Sequence, residues 1–417
     1  MSNKKVLIIS SEALSKSSSN GRTMMNMLNS IQAENLAQFY IHGTPDQSIC
    51  SSYFGVSDND ALRAFLGKEK IPKAENKTFD DKPKAEHKPQ KSYRNLVLRN
   101  IVWQSMLWWK SDFDEFLLNF NPNIILLQAG DVPFMFAITL KIAKKFNAKL
   151  MMFNTESYVL KKVMYASVDK SVFWHGILMS SLKKQYKRFM DKADFCIYSL
   201  EALEAAYQEK YPHKGKSCTL YTVSELGALP DCSGEPFSLL YCGNLGVGRD
   251  VPIDELAKAL YDVDKNAKLD IYGKFVSDES QKTVCANPNV CYHGFVDYSE
   301  IPNLMSRASM LVHCENNGRL ENLRYAFSTK IADSISGNRP FLVYASREYP
   351  FVKYLSDNQS AHIASDYDEL KTVLKRCIGD KQYLYKYTSN AMALSAQNHN
   401  SDVNCRKFEA IIDKLSN

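Results

Sequence analysis

The chain has 417 residues, 45% of them hydrophobic and 24% charged, and a formal net charge of +6. That is enough apolar material for two or three cores, and too small an excess of charge to demand a nucleic-acid partner. Ten cysteines without a Cys-x-x-Cys pair, several in apolar runs such as those around Cys196, Cys242 and Cys314, fit a reducing compartment and speak against a disulfide framework or a zinc site. Val6–Ile9 is too short for a signal core, and no apolar stretch reaches the ~18 residues of a membrane span.

Val6–Ile9 predicts a first buried strand, followed by a serine-rich loop from Ser10 to Asn20 that reaches Gly21. Arg22 to Ile31 has helical spacing, with Met24, Met27, Leu28 and Ile31 on one face. Strand, glycine-bearing loop and helix open a Rossmann-like unit, but the full Gly-x-Gly-x-x-Gly fingerprint of a dinucleotide site is missing. A second strand is predicted over Ala37–Ile41. Gly67 to Ser92 then carries eight lysines and three prolines with almost no apolar residues. It reads as a solvated insertion, either a plain surface loop, the favoured reading, or a tether near anionic lipid. Leu96 to Phe120 predicts a helix whose tryptophans belong to a core rather than to a cofactor or a membrane face. Alternation returns with a strand at 123–128, a helix at 134–146 and a strand at 149–153. Asn154-Thr155-Glu156 stands at that last strand's carboxyl end, where open α/β sheets bind ligands. Ile177 to Lys192 is an amphipathic basic helix, open to two readings: a solvated face or a face resting on a membrane. A strand at 194–198, a helix and a strand at 217–222 close this half.

Leu226 to Pro236 reads as an interdomain linker, and after it the alternation starts afresh. Strands are predicted at 237–241, 268–271, 289–292, 310–313, 341–345 and 361–364, and the tail from Tyr367 as consecutive helices. The expected domains are 1–228 and 236–398, with a final helix over 399–417 packing back on the first. Ser328-Thr329 marks a helix start, and Gly337-Asn338 its end. A hydroxyl there caps free backbone N–H groups; the same groups, with Lys330 beside them, also suit a phosphate. Both readings stand on the residues alone.

The order of segments resembles the donor-binding half of GT-B glycosyltransferases, in particular the retaining family-four group of bacterial surface-polysaccharide sugar transferases. The resemblance is carried by YCGNLGVGRD (241–250), DIYGK (270–274), YHGFVDYSEIPNLMSRASMLVHC (292–314) and FSTKIADSISGNRPFLV (327–343), with DKADFCIYSLEALEAAY (191–207) in the first half. It implies an α/β, GT-B architecture of two facing Rossmann-like domains with a central cleft and C-terminal helices. It also implies an enzyme, either cytoplasmic or peripheral at the inner membrane face, that moves a sugar from a UDP- or GDP-linked donor to a glycan or lipid-linked acceptor without metal or cofactor. Many members carry a Glu-x7-Glu pair; counting back from Pro340, its positions fall here on Tyr325 and Asp333. The first acid is lost and the second shortened, and the chain resembles instead the subset with a Ser-x-Lys helix start.

The resemblance assigns roles residue by residue. Arg249 and Lys330 would act on the leaving diphosphate, with the loop from Gly243 and Asn244 to Gly248 and the helix start at Ser328 and Thr329 supplying N–H groups. Asp333 would take the ribose hydroxyls, and Tyr272, Gly273, Lys274, Phe295 and Val296 would border the base. Gly21 would face the donor phosphates, and Glu156 the acceptor hydroxyl. The loop from Glu315 to Tyr325 would face the sugar. None of His42, His175, His293 and His313 is expected to act as a base. Two other functions fit the same architecture: an inactive scaffold for a partner transferase, and a nucleotide-sugar epimerase.

Overall fold

Short apolar runs, too short for helices and mostly buried at the centres of the sheets, form most strands of two parallel sheets, while the edge strands Lys216–Thr219 and Val290–Gly294 are more polar and only partly buried. The computed structural model describes residues 4–15, 19–68, 92–161, 171–229 and 236–416. Much of the lysine-rich insertion (69–91) and part of the expected linker (230–235) lie outside the described residues. The chain divides into two compact units, Met1–Tyr221 with Asn404–Asn417, and Thr222–Val403.

In the first unit the elements run β1 (Val6–Ile9), α1 (Ser19–Leu28), β2 (Leu36–Tyr40), β3 (Ser52–Gly55), α2 (Asp58–Phe65), α3 (Tyr93–Gln104), α4 (Ser111–Phe120), β4 (Ile124–Gln128), α5 (Pro133–Phe146), β5 (Lys149–Asn154), α6 (Val172–Met190), β6 (Phe195–Tyr198), α7 (Glu201–Lys210) and β7 (Lys216–Thr219). The sheet order is β3-β2-β1-β4-β5-β6-β7, all parallel. One face packs Val6, Ile8, Met24, Ile124 and Met151 together with Phe408, Ile411 and Ile412 from the far end of the chain.

The segment between Gly43 and Gly67, for which the sequence predicts no element, holds β3 and α2, the latter closed by a capping box in which the Ser57 hydroxyl accepts from the Asp60 N–H and Asp60 accepts from the Ser57 N–H. The single helix expected over 96–120 is two, α3 and α4, separated by Met106 at φ 56. A left-handed residue cannot continue a right-handed helix.

The second unit runs β8 (Ser238–Cys242), α8 (Asp250–Val263), β9 (Lys268–Tyr272), α9 (Asp278–Cys285), β10 (Val290–Gly294), α10 (Ile301–Arg307), β11 (Met310–Cys314), α11 (Leu320–Leu323), α12 (Thr329–Ser336), β12 (Phe341–Tyr344), α13 (Pro350–Asp357), β13 (His362–Ala364), α14 (Tyr367–Gly379), α15 (Lys381–Leu384) and α16 (Thr388–Asn398). α17 (Ser401–Ser416) begins here and supplies the first unit from Asn404 onward. The order β10-β9-β8-β11-β12-β13 is that of a doubly wound Rossmann sheet, all parallel. Its direction of winding reverses between β8 and β11, so the loops after these two strands leave the sheet on opposite sides and open a crevice at their carboxyl ends. One core lies on each face, around Leu256, Leu260 and Leu374 on one side and around Ile331, Ile335 and Phe351 on the other.

Candidate functional site

The loop after β8 is built by its own small residues. Gly243 donates its N–H to the Tyr272 carbonyl at 2.7 Å, and Gly273 donates to the Gly294 carbonyl at 2.7 Å, so the ends of β8, β9 and β10 stay laced past the last strand residues. Asn244 is exposed, yet its Oδ1 accepts the Gly246 N–H at 2.8 Å and its carbonyl accepts the Tyr241 hydroxyl at 3.0 Å. Val247 and Gly248 then take left-handed conformations, φ 57 and 81, and turn the chain into α8 with Arg249 at its start. From the other side of the crevice, after β11, Asn316 Nδ2 donates to the Gly248 carbonyl at 2.8 Å.

Glu315, the first residue past β11, meets Arg249. The guanidinium Nε lies 3.0 Å from both carboxylate oxygens, and Nη2 lies 2.5 Å from Oε1. His313 Nε2 lies 3.2 Å from the same Oε1. Burial alone would raise the Glu315 carboxyl, but the imidazole and the guanidinium outweigh it and hold the acid down to about 2. His313 is itself buried, which lowers its pKa and keeps the ring neutral near pH 7. The sequence reading set Glu315 in a loop facing the sugar; the structure gives it Arg249 as partner. The one signal that could have found it was its place, an acid directly at a strand's carboxyl end.

Lys330 is the neighbouring cation. Ser328, in extended backbone, caps α12 by accepting the Lys330 N–H at 3.4 Å, and Thr329 fills the first helical position. The Lys330 side chain runs across Gly243, where an added β-carbon would collide with it, and its ammonium stands 5.8 Å over the Tyr241 ring. The ammonium makes no hydrogen bond or ion pair with the described residues. Burial first, then the nearby Arg249 charge, pull its pKa down to about 8, against the attraction of Glu315, Cys242 and Asp333. Arg249 is therefore neutralised by a bidentate carboxylate while Lys330 is not. An anion arriving beside Gly243 finds an ammonium with no hydrogen-bonded counter-ion among the described residues.

Asp333, one turn into α12, is buried; its Oδ1 accepts the Ser224 hydroxyl at 2.7 Å and the Tyr298 hydroxyl at 3.2 Å. Neither partner was foreseen in the sequence. At the ends of β9 and β10 the Tyr272 ring stacks on His293 at 4.5 Å, and His293 Nε2 lies 2.7 Å from Asp270 Oδ1. Lys274 Nζ sits 4.9 Å over the ring of Phe295, which is 68% exposed, and Val296 is half-buried beside it. The second unit thus gathers Gly243, Arg249, Gly273, Lys330 and Asp333 at one crevice. Gly21 and Glu156 belong to the first unit: Gly21 is buried in the opening of α1, and Glu156 is held by Lys161, whose Nζ lies 2.5 Å from Oε2. Among the described residues no cluster of His, Cys, Asp and Glu is placed to hold a metal ion, and no helix is long and apolar enough to cross a membrane.

No protein-family model matches the chain, and no curated protein matches it in sequence. Solved structures do. Sucrose-phosphate synthase from Thermosynechococcus elongatus is similar with a TM-score of 0.65 at 11% identity, over 99% of each chain. Anabaena HepE, in complex with UDP, gives a TM-score of 0.61 at 10% identity, over 98% of this chain and 100% of that one. The pneumococcal O-GlcNAc transferase GtfA, in complex with UDP and GlcNAc, gives 0.51 at 15% identity, over 74% of this chain and 60% of that one. At these identities the likeness is one of fold. Two parallel-sheet α/β units followed by C-terminal helices give this chain the GT-B fold of those glycosyltransferase structures.

Proposed function

We propose that the protein is a retaining, metal-independent glycosyltransferase. It would move a sugar from a nucleotide-sugar donor to a glycan or lipid-linked acceptor, at the cytoplasmic face of the membrane, in bacterial surface-polysaccharide synthesis. The observation that carries this reading is the unpaired Lys330 ammonium, held against Gly243 at the point where the second sheet reverses its winding. The UDP bound in the HepE and GtfA structures favours a uridine donor.

The chemistry asks for few side chains. As the bond from the sugar's anomeric carbon to the phosphate oxygen breaks, the carbon takes on oxocarbenium character and the diphosphate gains negative charge. Lys330 and the N–H groups from Gly243 onward and at Ser328 and Thr329 answer that charge from fixed positions. The acceptor hydroxyl bonds to the same face of the carbon, and its proton passes to the leaving phosphate oxygen. This balances the step without a protein base. Asp333 would orient the ribose, Phe295, Val296 and Lys274 the base, and Glu156 the acceptor. Arg249, paired with Glu315, would act as a held dipole rather than as a free cation.

Isothermal titration with UDP, GDP and ADP tests the reading. At least one should bind, and Lys330→Ala should weaken it at least tenfold, the scale of one charge-assisted contact. Absence of binding by all three would sink the donor site.

A further inference from the structure

Most of the large apolar side chains left exposed among the described residues lie on three helices of the first unit: α2, α3 and α6. These helices form one layer. α3 is tied to α2 where Asp58 accepts from Arg99 Nε at 2.7 Å and from Trp103 Nε1 at 2.8 Å. It is tied to α6 where Asn100 Nδ2 donates to Ser181 Oγ at 3.2 Å and the Tyr93 ring meets His175 at 4.9 Å. Behind them lies α5: Phe134 stacks on Trp103 at 4.7 Å, and Phe136 meets Tyr186 at 5.5 Å. The inner faces are therefore spent on the core, while the outer faces expose large apolar side chains among polar ones such as Asn59, Arg63, Asn95 and Ser180. Leu62 and Leu66 on and just after α2, Leu98 and Ile101 on α3, and Phe173 and Ile177 on α6 are spaced at helical repeats along outward stripes. Leu66 is 57%, Ile101 51% and Phe173 68% exposed. An apolar area spread over three packed helices is unusual for a surface with no partner.

Charge selects the partner. α3 and α6 contain no Asp or Glu at all. Arg94 leads the outward stripe of α3, and Lys183 and Lys184 follow that of α6; all three are exposed, and none forms an ion pair with the described residues. An apolar band edged by unpaired cations, with no acid on two of its three helices, matches an interface of acyl chains beneath anionic headgroups. We propose that the outer faces of α2, α3 and α6 form a monotopic docking surface for anionic phospholipid. The aliphatic and Phe173 side chains enter the headgroup boundary and Arg94, Lys183 and Lys184 meet the phosphates. The surface gives a concrete place to the membrane contact in the function proposed above. Its existence is measured without donor or acceptor.

The test is co-sedimentation of the full chain with vesicles of phosphatidylcholine alone and of phosphatidylcholine with phosphatidylglycerol, alongside UDP titration of the same samples. The wild type should bind the anionic vesicles and bind the neutral ones at least tenfold more weakly. Phe173→Ser with Ile177→Ser should lower anionic binding at least tenfold, and Lys183→Gln with Lys184→Gln roughly thirtyfold. Both variants change exposed side chains, so UDP binding should match the wild type. Equal binding by the wild type and the Phe173/Ile177 variant would overturn the proposal. So would no binding to either vesicle, or a dimer in vesicle-free solution that the same variant dissociates, since the face would then serve a second copy. Failure to bind UDP with vesicle binding intact would remove the donor reading and leave this one standing.

Discussion

A β-carbon on Gly273 would run into the backbone carbonyl of Gly243, whereas one on Gly243 would meet only the end of the Lys330 side chain. The two glycines should fail in different ways. Gly273→Ala has no flexible neighbour to displace and should cost about 3 kcal/mol in urea unfolding. Gly243→Ala should keep stability within about 1 kcal/mol, because a lysine tip can swing aside, yet weaken UDP at least tenfold. Equal losses of stability would refute this division. Lys330 also carries a pH signature. Its folded pKa of about 8 lies below the unfolded value of 10.5, so across that interval the unfolded chain binds the extra proton and this group makes stability rise with pH. A bound diphosphate would restore the proton. UDP titrated near pH 9 in buffers of different ionisation enthalpy should therefore show proton uptake, absent in Lys330→Met.

At the scale of elements, the Arg249–Glu315 pair joins the start of α8 to the end of β11. Glu315 is buried and Arg249 partly so, so Glu315→Gln would strand a half-buried cation and should cost about 3 kcal/mol, with Arg249→Met plus Glu315→Leu recovering most of it in chemical denaturation. Because the folded Glu315 acid lies near 2 and the unfolded one at 4.5, its stabilisation is complete above pH 4.5 and fades as pH falls toward 2. This pair also shows what a sequence withholds. β8, β9, β11 and β12 were readable as short apolar runs, and the start of α12 from its hydroxyls and its end from Gly337-Asn338. The partnership was not readable, since 66 residues separate its members and only the strand order makes β8 and β11 neighbours. β3 escaped because Ser52–Gly55 is four residues with no clear period, and the α3–α4 break because Met106 carries no glycine-like warning of its left-handed backbone. Lys330 was legible as a charge beside a cap; that it lacks a hydrogen-bonded counter-ion among the described residues was not.

For the molecule as a whole, the two units differ in continuity. The second is one unbroken stretch, while the first needs residues from 404 onward. Phe408, Ile411 and Ile412 are buried among Val6, Ile8 and Ile124. Ending the chain after Val403 removes those three side chains, about 2 kcal/mol each by area and so comparable with the whole stability of many domains. The truncated protein should lose the first unit's near-ultraviolet circular dichroism and its cooperative melt, yet still bind UDP through the second. Retention of both transitions would show that α17 is dispensable to that core.

That discontinuity also sets an order of events during synthesis. Residues 222–403 leave the ribosome before the helix that finishes the first unit's core, a delay on the order of ten to forty seconds at ordinary elongation rates. Through that interval the nascent first half holds an apolar gap where Phe408, Ile411 and Ile412 will sit. It should then be open to chaperones and proteases, and slowing translation through the second half should lower the yield of folded protein.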